Sequence, residues 1–225
     1  MIGFRSFVPG LVLAMGLMLS MPAYAADWGW APEQWSPMSR ADAIESLASP
    51  QFEERRRALG RLAEIGTAQD VPLMLQRLWD ENYMVRGMAE QAIWGLWLRI
   101  DDPVLEPVFQ TGIAFVIERK LQDAIDNFNL VIRLKPGFAE AWTKRGDAYL
   151  HLGDDERALA DYLHTLELNP YHFGVMESCG EIWLERGNAR KAAEYFSRAL
   201  EINPNLWNVA LILRELEQRL ENDRI

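Results

Sequence analysis

Residues Ala139 to Pro170 read AEAWTKRGDAYLHLGDDERALADYLHTLELNP. Two amphipathic stretches, Ala139 to Leu152 and Asp154 to Leu168, flank the turn glycine Gly153. They close on Asn169-Pro170, a turn former ahead of a residue that cannot donate the next helical hydrogen bond. The pattern predicts two helices joined by a tight turn. It also recurs every 34 residues: Pro136, Pro170 and Pro204; Gly112, Gly146 and Gly180; Ala124, Ala158 and Ala192; Phe128, Tyr162 and Phe196; Phe115, Tyr149 and Trp183. Five residue classes holding one period across three copies mark a repeat array.

The chemistry of the repeat is packing chemistry. Gly on the first helix and Ala on the second let two backbones approach, the rings fill the space beside the crossing, and Pro ends the pair. One such hairpin cannot bury its apolar face alone, so the copies must stack. With Trp142, Gly146, Tyr149, Gly153, Ala158, Tyr162 and Pro170 in order, the middle copy resembles the tetratricopeptide repeat family. The flanking copies depart from the family pattern: Val108 and Met176 stand at the Trp place, and Arg119 at that of the turn Gly. After Pro204, Leu206, Val209, Ala210, Leu213, Leu216 and Leu220 fall at helical spacing and read as a capping helix.

A second period, of 31 residues, runs through the first half: Phe52 and Tyr83, Arg55 and Arg86, Ala58 and Ala89, Leu62 and Ile93, Asp70 and Asp101, Pro72 and Pro103. Each unit reads as a helix pair whose second helix opens on Pro, where the missing N–H costs nothing. The run from Asp80 to Arg86, then Ala89 and Ala92-Ile93, resembles a HEAT-type repeat. The resemblance places Val85 in the core and Arg86 against a carboxylate such as Asp80. The expected fold is all-α, a right-handed α-solenoid of two HEAT-like repeats (41–104), three tetratricopeptide repeats (105–206) and a capping helix (207–225).

Residues 1–25 read as an address. Arg5, the uncharged apolar stretch from Val8 to Leu19 and the small-x-small site Ala23-Tyr24-Ala25 form a cleavable signal; an uncleaved anchor is the alternative. Cleavage removes Arg5 and no acid, leaving an exported chain with no membrane span, expected in a bacterial periplasm. The 26–40 segment carries Trp28, Trp30 and Trp35 among Pro and Gly, and reads either as a cap over the first helix pair or as a partner-binding segment. The single cysteine, Cys179, falls on an apolar helix face and reads as a buried thiol.

Acidic residues outnumber Lys and Arg by 33 to 23, which excludes a broad nucleic-acid footprint. No phosphate loop, Gly-x-Ser-x-Gly elbow or His-Glu-x-x-His helix is present, and His151, His164 and His172 have no i, i+4 pairing. No catalytic residue, cofactor or metal is expected. The tetratricopeptide resemblance implies a concave groove lined by each first helix. That places Phe109, Ile113, Val116 and Ile117, then Thr143, Asp147, Leu150 and His151, then Glu177, Glu181, Leu184 and Glu185 along it. The last three Glu are spaced i, i+4, i+8 and form one row. A groove running from apolar to acidic suits a protein or peptide with an apolar anchor and a basic segment. A row of Glu on an acidic protein also reads as a solvated face. Phe109, Ile113 and Thr143 stand where some family members carry the Lys and Asn that clamp a partner's terminal carboxylate, so that mode is not implied. The expected role is a non-catalytic adaptor or scaffold. An assembly factor or chaperone for exported clients, and a small hydrolase or lyase without a recognisable motif, are the alternatives.

Overall fold

A computed structural model describes residues 38–222; the signal-like segment and Trp28, Trp30 and Trp35 lie outside the described residues. Those described form eleven α-helices, one short 3-10 turn at Ala68–Asp70, and no strand. The N-terminal unit holds α1 (Arg40–Ser46), α2 (Phe52–Ile65), α3 (Val71–Arg77) and α4 (Tyr83–Trp97). The 34-residue array follows as α5 (Leu105–Ile117) with α6 (Leu121–Leu134), α7 (Ala139–His151) with α8 (Asp155–Leu168), and α9 (Phe173–Glu185) with α10 (Ala189–Ile202). The last helix, α11 (Trp207–Asn222), packs on α10. Helix termini fall where the period put them. Asp154 and Asn188 cap α8 and α10 by accepting from the amides of Arg157 and Lys191.

The three repeat glycines explain the helix crossings. A Cβ on Gly112 would lie 2.6 Å from the Phe128 ring, and one on Gly146 2.7 Å from Tyr162; Gly180 faces Phe196 in the same way. Each ring is fully buried, as are Ala124, Ala158 and Ala192. The first helix of each copy therefore seats directly on the ring of the second, a contact no side chain can share. The turn glycines Gly153 and Gly187 take φ of 77° and 73°, and Arg119 takes 61° in the first copy. A residue with a Cβ is thus held in the left-handed region that glycine occupies in the other copies.

Polar groups tie neighbouring helices together. Arg145 of α7 forms a two-pronged pair with Asp161 of α8, at 2.8 and 2.6 Å, and donates to Asn129 Oδ1 of α6 at 2.6 Å. Tyr162 donates its hydroxyl to Asp147 at 2.9 Å, so the one phenol among the three rings has its polar tip satisfied.

The N-terminal unit differs from the sequence expectation in two respects. Helix α1 packs on α2 and α3 on α4, so Pro72 opens the first helix of its pair, not the second, and Pro103 lies in the turn before α5. The carboxylate of Asp80 is taken by Arg55, at 2.8 Å through both nitrogens, and not by Arg86. Arg86 donates instead to the backbone carbonyls of Asp80 and Glu81, and its Nε donates to Asn205 Oδ1 at 2.7 Å. The two arginines do equivalent work one unit apart. Arg55 reaches from α2 to the loop before α4, and Arg86 reaches from α4 to the loop before α11.

That second link reveals the main departure from a simple linear stack. The expected continuation of α4 onto the adjoining repeat is replaced by a fold-back onto the third copy. Phe173, Met176 and Ala199 belong to the same buried cluster as Leu59, Val85, Ile93 and Leu96, while the first repeat has a separate core around Phe109 and Phe128. Asn205 returns the link by donating to the Leu78 carbonyl at 2.9 Å. The 98–104 connection spans the two bodies: Arg99 holds the carbonyls of Gly66 and Ala63, Lys135 holds that of Ile100, and Leu98 packs into the first-repeat core.

The ring contact makes the repeat register testable. Gly146→Leu should cost about 3 kcal/mol, because the side chain overpacks a filled site. The melting midpoint followed by circular dichroism should fall by about 8 °C. Glu181→Lys, on the exposed face of α9, should leave it within about 2 °C. An unshifted midpoint for Gly146→Leu would contradict the register.

Candidate functional site

The side chains expected along the groove separate into three groups. Phe109 and Ile113 are core residues: Phe109 is fully buried with its ring 5.9 Å from that of Phe128 and 5.1 Å from that of Phe138. Both are closed to a partner, because they are packed into the first-repeat core with Phe128 and Phe138. Thr143 and Asp147 are also buried, and their polar atoms are spent internally. Thr143 Oγ1 pairs with Thr165 Oγ1 at 3.1 Å, and Asp147 accepts from Tyr162 and from Lys144, the latter at 3.1 Å. The remaining residues present surface. Val116, Leu150, His151, Glu177 and Leu184 are half-buried, and Ile117, Glu181 and Glu185 are exposed.

The acidic row is therefore present as an accessible feature of α9. Its first member is electrostatically unusual: burial pushes the Glu177 carboxyl up to about 7, with Glu181 and Glu90 adding to the shift. Burial also raises Glu181, reinforced by Glu185. None of the three is ion-paired to a described residue.

Sequence reasoning missed the other side of this site, which α4 supplies. Trp94 lies against α9 so closely that a Cβ on Gly174 would meet its ring at 2.7 Å, and the ring is edge-on to Phe173 at 5.4 Å. Trp97 stacks on the His172 imidazole at 4.7 Å. His172 Nδ1 accepts from the Val175 amide at 3.1 Å, which leaves the proton on Nε2 to be donated to Glu140 at 2.8 Å. One ring thus joins α4, α7 and α9. Burial raises Glu90, one turn before Trp94, while Asn203 and Trp94 beside it pull the other way. A signal for this contact existed in the sequence. The buried face of α4 (Val85, Met88, Ala89, Ala92, Ile93, Leu96) does not include Trp94 and Trp97, and a helix apolar on two faces needs two neighbours.

Catalytic features are sparse. Among the described residues no cluster of His, Cys, Asp and Glu could hold a metal ion, and no helix is long and apolar enough to cross a membrane. Cys179 is fully buried and its thiol is pushed up to about 12 by that burial, so it is not a nucleophile at neutral pH.

Residues 139–172 match the family model described as tetratricopeptide repeat. A TPR repeat-containing protein of Rhizobium etli is 30% identical over 86 residues, which cover 38% of this chain and 42% of the relative. The chloroplastic tetratricopeptide repeat domain-containing protein PYG7 of Arabidopsis thaliana is 40% identical over 71 residues, 31% of this chain and 24% of its own. The chain spans less than half the length of either relative. Among solved structures, the first TPR of Spaghetti (RPAP3) bound to an HSP90 peptide has a TM-score of 0.49 at 22% identity, covering 52% of this chain and 93% of that one. MamA has a TM-score of 0.42 at 23% identity, covering 73% and 94%. The tetratricopeptide match points to protein–protein interaction.

The α4–α9 seam predicts shared stability. Trp94→Ala should cost about 3 kcal/mol, within the range for truncating a packed tryptophan. The loss should appear as one transition common to both bodies, observed as coincident unfolding of α2–α4 and α9–α10 peptides by hydrogen exchange in urea. Separate transitions in the parent protein would show that the seam does not couple them.

Proposed function

We propose that the chain is a non-catalytic adaptor of the bacterial periplasm, binding a protein or peptide along α9 and the neighbouring first helices. The observation that carries this reading is the row Glu177, Glu181 and Glu185, half-buried at its first member and exposed at the other two, with none of the three ion-paired to a described residue. Like charges at i, i+4 spacing weaken an isolated helix, so helix stability does not account for them. A partner segment bearing Lys or Arg would supply the missing charge. Leu150, Leu184, Val116 and Ile117 would take an apolar anchor beside it. Export rests on the signal-like segment at 1–25, and a HEAT-type origin for the N-terminal unit rests on its 31-residue period and the Arg55–Asp80 pair.

The reading is tested by affinity capture from an envelope extract, with the mature chain as bait beside the variant Glu177→Lys, Glu181→Lys, Glu185→Lys. Mass spectrometry should identify a partner whose recovery falls at least tenfold on the triple variant. The measured affinity of the purified pair should weaken as salt rises. Equal recovery on both baits would move binding away from the row.

A further inference from the structure

The leading face of the 34-residue array lacks a neighbour. In the second and third copies the first helix buries one side against the helix before it. Ala141 of α7 is fully buried in a cluster with Val131 and Ile132 of α6. Val175 and Ile182 of α9 are equally inaccessible, in a cluster with Ala158 and Leu159 of α8. On α5 the same register is open to solvent. Pro107 stands 34 residues before Ala141 and Ala114 stands 34 before the buried Ala148, yet both are exposed. Val104 is 74% exposed where its counterpart Phe138 is 9%. The reason is the fold-back: α5 packs on α6 and α7, while α4, the helix before it, is committed to α2, α3 and the third copy. Val104, Pro107, Val108, Thr111, Ala114 and Phe115 share this arc. The one charge in that span, Glu106, lies off the arc and accepts from Gln110 at 2.7 Å. A terminal face meant for water is polar. The other end of the array meets that need, since Arg214, Glu215, Glu217, Gln218 and Arg219 of α11 are exposed.

The described chain begins close to this face. Met38 packs on the N-terminal core, and its carbonyl accepts from Arg61 of α2 at 2.9 Å. At the same end of α2, Arg99 holds the carbonyls of Ala63 and Gly66, which fixes the root of the 98–104 connection. From Arg99 to Val104 the chain spans at most about 18 Å, and the arc runs on for about 17 Å to Phe115. Residues 28–37 reach about 35 Å when extended. They carry Trp28, Trp30 and Trp35 with Pro32 and Pro37 and no Lys or Arg, an apolar ligand for an uncharged face. Tethering gives them an effective concentration at α5 that a second copy or a separate partner lacks. We propose that the 26–37 segment is the leading cap of the repeat array, docked along the bare arc of α5. Its three indoles take the place that α6 fills against α7 and α8 fills against α9. The rings thereby cover the first tetratricopeptide copy and not the first helix pair of the chain, and they are not free to anchor a partner. This cap is independent of the acidic row on α9.

The test traps proximity in the mature chain. Gln34→Cys is combined with Ala114→Cys on α5 or, as control, with Gln76→Cys on α3; positions 114 and 76 are both exposed, and buried Cys179 is retained. Arg40 pairs with Asp70 at the start of α3, so the tether reaches the control site as well. After mild oxidation, peptide mapping without reductant should find the intrachain disulfide between positions 34 and 114 at least tenfold more abundant than that between 34 and 76. Adding Trp28→Ala, Trp30→Ala and Trp35→Ala should bring the yield at 114 down to the control level, with the helical circular dichroism signal kept. Equal yields at the two sites, or an undiminished yield at 114 without the three indoles, would overturn the proposal. A link at position 114 found only between chains would overturn it too, and would assign the face to a second copy.

Discussion

The six-membered ring of Trp94 occupies the space that a side chain would need at Gly174, and much of the architecture follows from that contact. It brings α4 close enough to α9 for Trp97 to stack on His172, and it sets Phe173 and Met176 into the core of the N-terminal unit. His172 then relays the arrangement to the second repeat through Glu140; both side chains are almost wholly inaccessible to water. A larger residue at position 174 would push the two bodies apart and strip the two indoles of their contacts with Phe173 and the His172 imidazole. The loss is one of apolar burial, because ring surface that was packed in the shared core would meet water.

Two networks of buried charge show how the chain separates structural from recognition duties. Arg55 with Asp80 and Arg145 with Asp161 are two-pronged pairs with both members largely buried, placed where one helix must be registered against another. Arg55 holds Asp80 below the usual carboxylate range despite burial pushing it up, so the pair is charged across the neutral range. The acids of α9 have no such partners. A carboxylate serves as internal fastener where an arginine is provided and as surface feature where none is.

The 34-residue array was legible because its determinants are local. Gly, Ala, ring and Pro recur at fixed offsets, and helix ends are set by Asp154, Asn188, Gly153 and Gly187 within a few residues of the turns they make. The groove lining was only partly legible. The family register identifies which face a residue is on, but not how its neighbours pack around it; Phe109 and Ile113 sink into the first-repeat core, while Thr143 and Asp147 of the second are spent in hydrogen bonds to Thr165 and Tyr162. The fold-back was not read at all. Its contacts join Arg86 to Asn205 and Leu78 to Asn205 across 119 and 127 residues, with no shared period to announce them. Only the doubled apolar surface of α4 pointed to a second neighbour, without naming it.

A linear repeat array grows by nearest-neighbour contacts, and each new copy finds its support already made. Here the first-made helices must wait for the last. The carbonyl of Leu78 meets its donor only after Asn205 has been synthesised, 127 residues later. At ordinary elongation rates that interval is on the order of ten seconds. Trp94 and Trp97 likewise lack the surface that covers them until His172, Phe173 and Gly174 have been made, and loop closure over so long a separation slows the final docking step. The chain thereby emerges with a sticky apolar edge that persists until its third repeat is complete.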